Sequence, residues 1–333
     1  MTLSLNERFA GCVIGQCLAD ALGAPVEGQD GATCRVYADY SLRPWFDGKP
    51  PDEAIFSGRY TDDSQMAREL LLSLVECHGW APDDYSTRIQ HLFKSNLVVG
   101  RGLACDAAVR RLLDGVSWDY AGEPAPSAGN GTAMRAAPVG LVFYDQLEMM
   151  VEIARQQGHL THHDLRCAAG SIAIAGAVAL LVNGDFHDVH SFTSQLANWM
   201  APYHEEFAGF VRELPELLSL APERAVPVIA GMGRQPGHTD FWPGISPFVI
   251  PSVVWSLYAF LRHPDSYTEA VIDAIVCGGD VDTTAAMTGA LSGAHLGIEA
   301  VPAHLVDLIH DHRSWTAPQL RRLADEAALL ARR

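Results

Sequence analysis

An all-α fold is predicted for this chain by three observations. Apolar residues recur at three- and four-residue intervals through most of its 333 residues, the spacing that lines one face of a helix. Runs with the period-two alternation of a half-buried strand are almost absent. Clusters of Pro and Gly punctuate the periodic segments and mark the loops. None of these loops is long or polar enough to be a linker, and no repeat recurs at a fixed period. Residues 1–333 are therefore read as a single domain.

The first helix is predicted over 5–22, with Asn6 as a cap near its start. It closes on Asp20-Ala21-Leu22-Gly23-Ala24-Pro25-Val26-Glu27, which presents the Glu27 carboxylate just after a Gly/Pro turn. Such a group can serve as a general acid or base or as a metal ligand, against the default of a surface glutamate. The stretch 40–60 holds Pro44, Gly48, Pro50, Pro51 and Gly58, and is expected to be irregular. A helix follows over 64–78, with Met66, Leu70, Leu71, Leu74 and Val75 on one stripe and Gly79 placed to end it. Helices are next expected at 83–95 and 101–113, an irregular loop at 122–131, then helices at 132–156, 164–183, 189–199 and 203–218. The last four are expected at 247–262, 267–277, 283–296 and 317–332.

Two of these helices are informative in themselves. The richest apolar run, 168–182, is interrupted by Gly170, Ser171 and Gly176 and falls short of the roughly 18 consecutive apolar residues of a membrane span. It reads as a buried helix, and no membrane partner is expected. In the helix over 283–296, Gly289 and Gly293 fall four apart, with Gly297 following at the same spacing. Each interior glycine costs a helix about 1 kcal/mol relative to alanine. Tolerating them implies that another backbone approaches closely, which makes this helix central and holds the residues at its start rigidly.

The composition excludes several classes. The chain is 48% hydrophobic, which supplies a core. Its formal net charge of −17, with no cluster of Lys and Arg, argues against nucleic-acid binding. The N-terminus lacks the basic start and apolar core of a signal peptide. Seven scattered cysteines form no CxxC, so a zinc ribbon or disulfide framework is not expected. A cytoplasmic protein with reduced thiols, and a monomer, is the expectation.

The chemistry is proposed by two acidic clusters more than two hundred residues apart, Thr61-Asp62-Asp63-Ser64 and Asp280-Val281-Asp282-Thr283. Each precedes a predicted helix, so each can be read as a helix cap, because Thr, Asp and Ser favour that position. A cap needs one side chain, however, and each cluster supplies two close carboxylates that repel unless a cation neutralises them. Brought together, Thr61, Asp62, Asp63, Asp280, Asp282 and Thr283 would make an all-oxygen site for magnesium, manganese or calcium. Gly278-Gly279 suggests a tight turn admitting a ligand to the backbone.

A glycine-rich loop, Ser127-Ala128-Gly129-Asn130-Gly131-Thr132, leads into a helix and can be read as a diphosphate site or as a plain turn and cap. Thr161-His162-His163-Asp164 reads as a cap with one ligand-facing histidine, with a purely structural role as the alternative. The GxxxxGK[ST], HExxH and GxSxG patterns are absent.

In order along the chain, these motifs resemble the ADP-ribosylglycohydrolases, of the dinitrogenase-reductase-activating and ADP-ribosyl-arginine or ADP-ribosyl-serine hydrolase type. The resemblance runs through Gly11 to Gly15, Asp20 to Glu27, Tyr60 to Ala67, Gly129 to Pro138, Thr161-His162 and Gly278 to Ala286, with a weaker match at Gly244-Ile245-x-x-Phe248. It implies an orthogonal helical bundle with a binuclear site for two magnesium or manganese ions at helix N-termini. Thr61, Asp62, Asp63, Asp280, Asp282 and Thr283 would be the ligands, and Glu27 the mobile acid/base, acting with Asp62 and Asp282 in catalysis. Ser127, Gly129, Asn130, Gly131, His162 and Ile245 would contact the substrate, an ADP-ribosylated protein or small molecule. Ala19 and Ser64 stand where many members have glycine and threonine, and the 40–57 loop has no clear family consensus. A metal-dependent nucleotide-diphosphate phosphohydrolase, and a non-catalytic ADP-ribose-binding or crystallin-like protein, are the competing readings.

Overall fold

The computed structural model describes residues 3–49, 56–234 and 241–332. The chain begins with α1 (Leu5–Gly23), α2 (Gly31–Tyr37) and, after a π-turn at Ala38–Leu42, α3 (Arg43–Phe46). It continues with α4 (Asp62–Glu76), α5 (Pro82–Lys94), α6 (Leu103–Leu113), α7 (Ala137–Val142), α8 (Leu147–His159) and α9 (Leu165–Asn183). Next come α10 (Val189–Met200), α11 (Glu205–Arg212), α12 (Leu214–Leu217), α13 (Pro222–Ala230) and α14 (Val249–Arg262). The chain ends with α15 (Tyr267–Ile275), α16 (Val281–Leu296), α17 (Ala303–Val306) and α18 (Ala317–Ala331). Among the described residues the only β pairing is a set of isolated bridges, so the fold is all-α.

The centre of the bundle is a seam between α1 and α16. A Cβ built on Gly293 would lie 2.0 Å from the Gly11 carbonyl oxygen, and one on Gly289 would lie 2.4 Å from that of Gly15. The seam continues to its end, where a Cβ on Gly23 would lie 2.6 Å from the Cα of Asp282. The two helices thus touch backbone to backbone, as the glycine spacing of α16 implies. Because they run antiparallel, the last turn of α1 meets the first turn of α16. Around this seam pack α9, α14 and α15, whose apolar residues are almost wholly buried. By length and hydropathy alone α9 could serve as a membrane span, yet 89% of its apolar window is buried inside the bundle.

Several expected boundaries move. The helix expected over 132–156 is broken into a 3₁₀ turn at Asn130–Thr132, then α7 and α8. Pro138 starts α7 because its ring is tolerated only in a first turn and disfavours helix before it. Likewise Pro215 divides the segment 203–218 into α11 and α12, and α13, which carries Pro222 in its first turn and Pro227 inside it, was not expected. The segment expected to be irregular from Tyr40 is helical as far as Phe46, with Trp45 buried against Tyr37 and Phe56. Pro50 and Pro51 lie outside the described residues. Ser4 caps α1 in a reciprocal pair with Glu7, whereas the Asn6 amide donates to Asp325.

Candidate active site

The two acidic clusters meet. Both lie at helix N-termini, those of α4 and α16, and the α1–α16 seam fixes one relative to the other. Asp62, Asp63, Asp280, Asp282 and Thr283 line one cavity of about 380 Å³, together with Glu27 at its mouth. Oxygens of Asp20, Asp63 and Asp282 lie within 4.8 Å of one another, and so do those of Glu27, Asp280 and Asp282. Asp282 belongs to both groups and bridges them. Asp62 belongs to neither group but is buried in the same cavity wall, backed by Gly100.

The capping reading fails for both clusters. Neither Thr61 nor Asp280, the residues preceding α4 and α16, uses its side chain as a cap. The start of α4 is capped instead from another helix, by Asp20 of α1. Its Oδ2 accepts from the Ser64 amide at 3.1 Å and the Ser64 hydroxyl at 2.6 Å, and its Oδ1 accepts from the Thr61 amide at 3.0 Å. The Thr61 hydroxyl lies 2.8 Å from Asp20 Oδ1 and 2.9 Å from Asp63 Oδ2, and its one proton serves only one of them. Thr61 itself is buried and does not line the cavity.

Asp20 is the functional residue that sequence reasoning passed over. The signal was present: it is the only charged residue between Arg8 and Glu27, in a stretch where Gln16 is the one other strongly polar side chain. Its carboxylate is completely buried. A charge is placed there only where several donors meet it.

Asp280 is held by its neighbours. Its Oδ2 accepts from Asn130 Nδ2 at 2.5 Å, and its Oδ1 accepts from the Thr283 hydroxyl at 3.2 Å. Asn130 also reaches the Ser252 hydroxyl at 2.9 Å, and its backbone amide donates to the Pro247 carbonyl. The glycine-rich loop therefore braces the acidic cluster, and the Asn130 amide is not free for an anion. Gly129, Asn130, Gly131 and His162 line the cavity; Ser127 and Ile245 do not. The Ile245 side chain is fully buried, and its backbone pairs with Gly278 and Asp280. Gly278 and Gly279 have φ of +72° and +90°, as a tight turn requires, but the atoms crowding them are protein backbone rather than ligand space.

Concentrating buried carboxylates raises their pKa values. Burial comes first, and the neighbouring carboxylates add to it. Asp63 is pushed up to about 6 and Asp280 to about 7, while Asp20, Asp62 and Asp282 rise well above the usual carboxylate range. Glu27, though exposed at the mouth, is also raised by partial burial of its carboxyl. The opposite holds for His162, which burial and then the Arg135 charge lower to about 3, so its ring is neutral. Asp63 Oδ1 is buried without a hydrogen-bond partner. An orphaned carboxylate oxygen among raised carboxylates is what a hard cation would satisfy, and the all-oxygen donor set fits magnesium or manganese.

Fold and cluster together define a class: an all-α protein with buried carboxylates able to hold hard cations beside a ligand-sized cavity. Comparison with known proteins gives the family. The ADP-ribosylglycohydrolase model matches residues 1–333, and the chain belongs to that family of enzymes. It is 30% identical over 330 residues to ADP-ribosylhydrolase ARH3 of Homo sapiens, covering 89% of this chain and 87% of that protein. It is 24% identical over 305 residues to the ADP-ribosyl-(dinitrogen reductase) glycohydrolase of Rhodospirillum rubrum, covering 90% and 89%. A solved structure named as an ADP-ribosylglycohydrolase-related protein complex shares the fold at 24% identity, with a TM-score of 0.70 over 98% of this chain and 99% of that one.

Proposed function

We propose that the chain hydrolyses the bond between C1 of the distal ribose of ADP-ribose and an acceptor group, releasing ADP-ribose, in a metal-dependent reaction. The observation that carries this reading is the convergence of Asp62, Asp63, Asp280 and Asp282 on one cavity with Asp63 Oδ1 unpaired. These four and Thr283, with Thr61 placed just behind the wall against Asp63 and added on the family resemblance, are the residues that would hold two magnesium or manganese ions. Bound there, such ions would supply positive charge to ribose hydroxyl oxygens and lower the pKa of a water.

The protein's own groups account for the rest. Water oxygen bonds to C1 and gives up one proton, the C1–acceptor bond breaks, and its electron pair leaves with the acceptor, which takes up a proton in exchange. Glu27, at the cavity mouth with a raised pKa, is suited to carry that proton. Asn130 and Thr283 orient Asp280, and Asp20 orients the start of α4. The loop at Gly129 and Gly131, with His162, would seat the ADP-ribose phosphates and ribose, as the family membership supports. The acceptor is taken to be a protein side chain, or a small molecule carrying ADP-ribose.

The test is product release from arginine-linked and serine-linked ADP-ribose with magnesium, with manganese and after chelation. Metal-dependent release of ADP-ribose by the native protein, lost in Asp282→Asn and reduced in Glu27→Gln with metal binding retained, is the expected result. Turnover that survives both chelation and Asp282→Asn would refute the metal-dependent scheme. Release of AMP would mean diphosphate cleavage instead.

A further inference from the structure

Behind the glycine-rich loop lies a buried cation that the scheme above does not use. Arg135 is fully buried, and among the described residues no carboxylate pairs with it. Its guanidinium donates to the Gly131 carbonyl at 2.6 Å, the Gln157 side chain at 2.7 Å, the Gln157 carbonyl at 2.9 Å and the Thr161 hydroxyl at 2.8 Å. Thr161 Oγ1 lies in turn 2.9 Å from His162 Nδ1. The far side of that ring faces the cavity: a Cβ on Gly129 would lie 3.1 Å from Nε2, and one on Gly131 would lie 3.3 Å from Cε1.

We propose that Arg135 and Thr161 are positioning residues that fix His162 as the Nε2–H tautomer, so that its ring presents one N–H donor to a ligand oxygen at the Gly129–Gly131 loop. This deepens, and rests on, the reading of the cavity as an ADP-ribose site. The hydroxyl of Thr161 has one proton and already accepts from Arg135. Its other nearby oxygen acceptor, the Gly158 carbonyl, is 3.5 Å away, too long for a good bond. The Cys105 thiol beside it keeps its own proton, held up to about 11 by burial, and a thiol sulfur is only a weak acceptor. The proton of Thr161 therefore goes to Nδ1, which must carry a lone pair. Electrostatics agrees, because a lone pair facing the Arg135 charge is favoured over an N–H facing it. With Nδ1 an acceptor and the ring neutral, the remaining proton sits on Nε2. Gly129 and Gly131 are small where the ring needs room to hold that direction.

The experiment is long-range ¹H–¹⁵N spectroscopy of the full-length protein with ¹⁵N-labelled histidine, with His162→Asn used to assign the signal among the fourteen histidines. The expected spectrum has a protonated Nε2 and a lone-pair Nδ1. A protonated Nδ1, or a doubly protonated ring, overturns the proposal. Calorimetry with ADP-ribose then compares Thr161→Val with Thr161→Ser. Loss of one hydrogen bond should weaken binding about threefold to tenfold in Thr161→Val, with the serine variant close to the native protein. Equal affinities in all three also overturn it. Should the native protein fail to bind ADP-ribose, the functional reading fails, while the spectrum still decides the tautomer.

Discussion

The α1–α16 seam can be tested with one methyl group. In Gly293→Ala, the new Cβ would lie 2.0 Å from the Gly11 oxygen and 2.4 Å from the Gly11 carbonyl carbon. Ordinary contact begins near about 3.5 Å, so the helices must part by roughly 1.5 Å or the contact must be absorbed as strain. The obstacle is backbone and has no rotamer to escape into. Overpacking of this kind costs about 1–3 kcal/mol, and alanine returns about 1 kcal/mol through its better helix propensity. A net loss of about 1 kcal/mol, rising to about 2 if the helices cannot part, is expected. Gly209→Ala in α11 is the control, because nothing lies within 4 Å of its built Cβ. There the propensity term stands alone, and a gain of up to about 1 kcal/mol is expected. Urea unfolding followed by circular dichroism measures both. Magnesium titration of Gly293→Ala should also show weaker binding, since separating the helices moves Asp282 away from Asp20 and Asp63. A Gly293→Ala protein as stable as the native one, or a control destabilised equally, would refute the seam argument.

Two further outcomes follow from the acidic cluster. Asp20→Asn points an amide N–H₂ at one of its donor groups, so the start of α4 should loosen by about 1–3 kcal/mol. Hydrogen exchange at the Thr61 and Ser64 amides would report this, and protection unchanged from the native protein would count against it. In metal-free protein, Asp63 titrates near about 6 and Asp280 near about 7, both above the roughly 3.9 of an unfolded aspartate. Between about pH 4 and pH 7 the folded state then binds more protons than the unfolded state, so stability falls as pH rises. Thermal midpoints should drop across that window without metal and flatten with saturating magnesium. A midpoint that rises with pH in chelator would contradict the assignment.

What was legible in the sequence was chemistry carried by neighbours in the chain. Asp62-Asp63 and Asp280-x-Asp282 announce a charge problem locally, and the glycines of α16 announce a close approach before its partner is known. What was not legible depends on residues far apart. Asp20 reads as the last polar residue of a helix, and only the fold reveals that it caps a different one. Asn130 reads as part of an anion loop, yet its side chain braces Asp280, 150 positions away. The same holds for Ser127 and Ile245, whose places in the motifs gave no warning that the cavity excludes their side chains. The broken helix at 132–156 was missed for another reason. The apolar period runs on through Pro138 and the turn after Val142, so the hydrophobic pattern alone conceals the breaks.

Besides the Asn130 side chain, the loops around the cavity are sewn to one another by main chain. Gly129 pairs with Phe248, Ile245 with Gly279, Asp30 with Gly278, and Glu123 with His162. A seam made of amides and carbonyls is indifferent to most of the side chains along it. An exposed residue at the rim, such as Leu103, can therefore be exchanged without unpicking the frame that aims the carboxylates. Changing what such a protein accepts at its mouth and preserving what it holds at its base become separate problems. Each can be solved by substitutions that leave the other untouched.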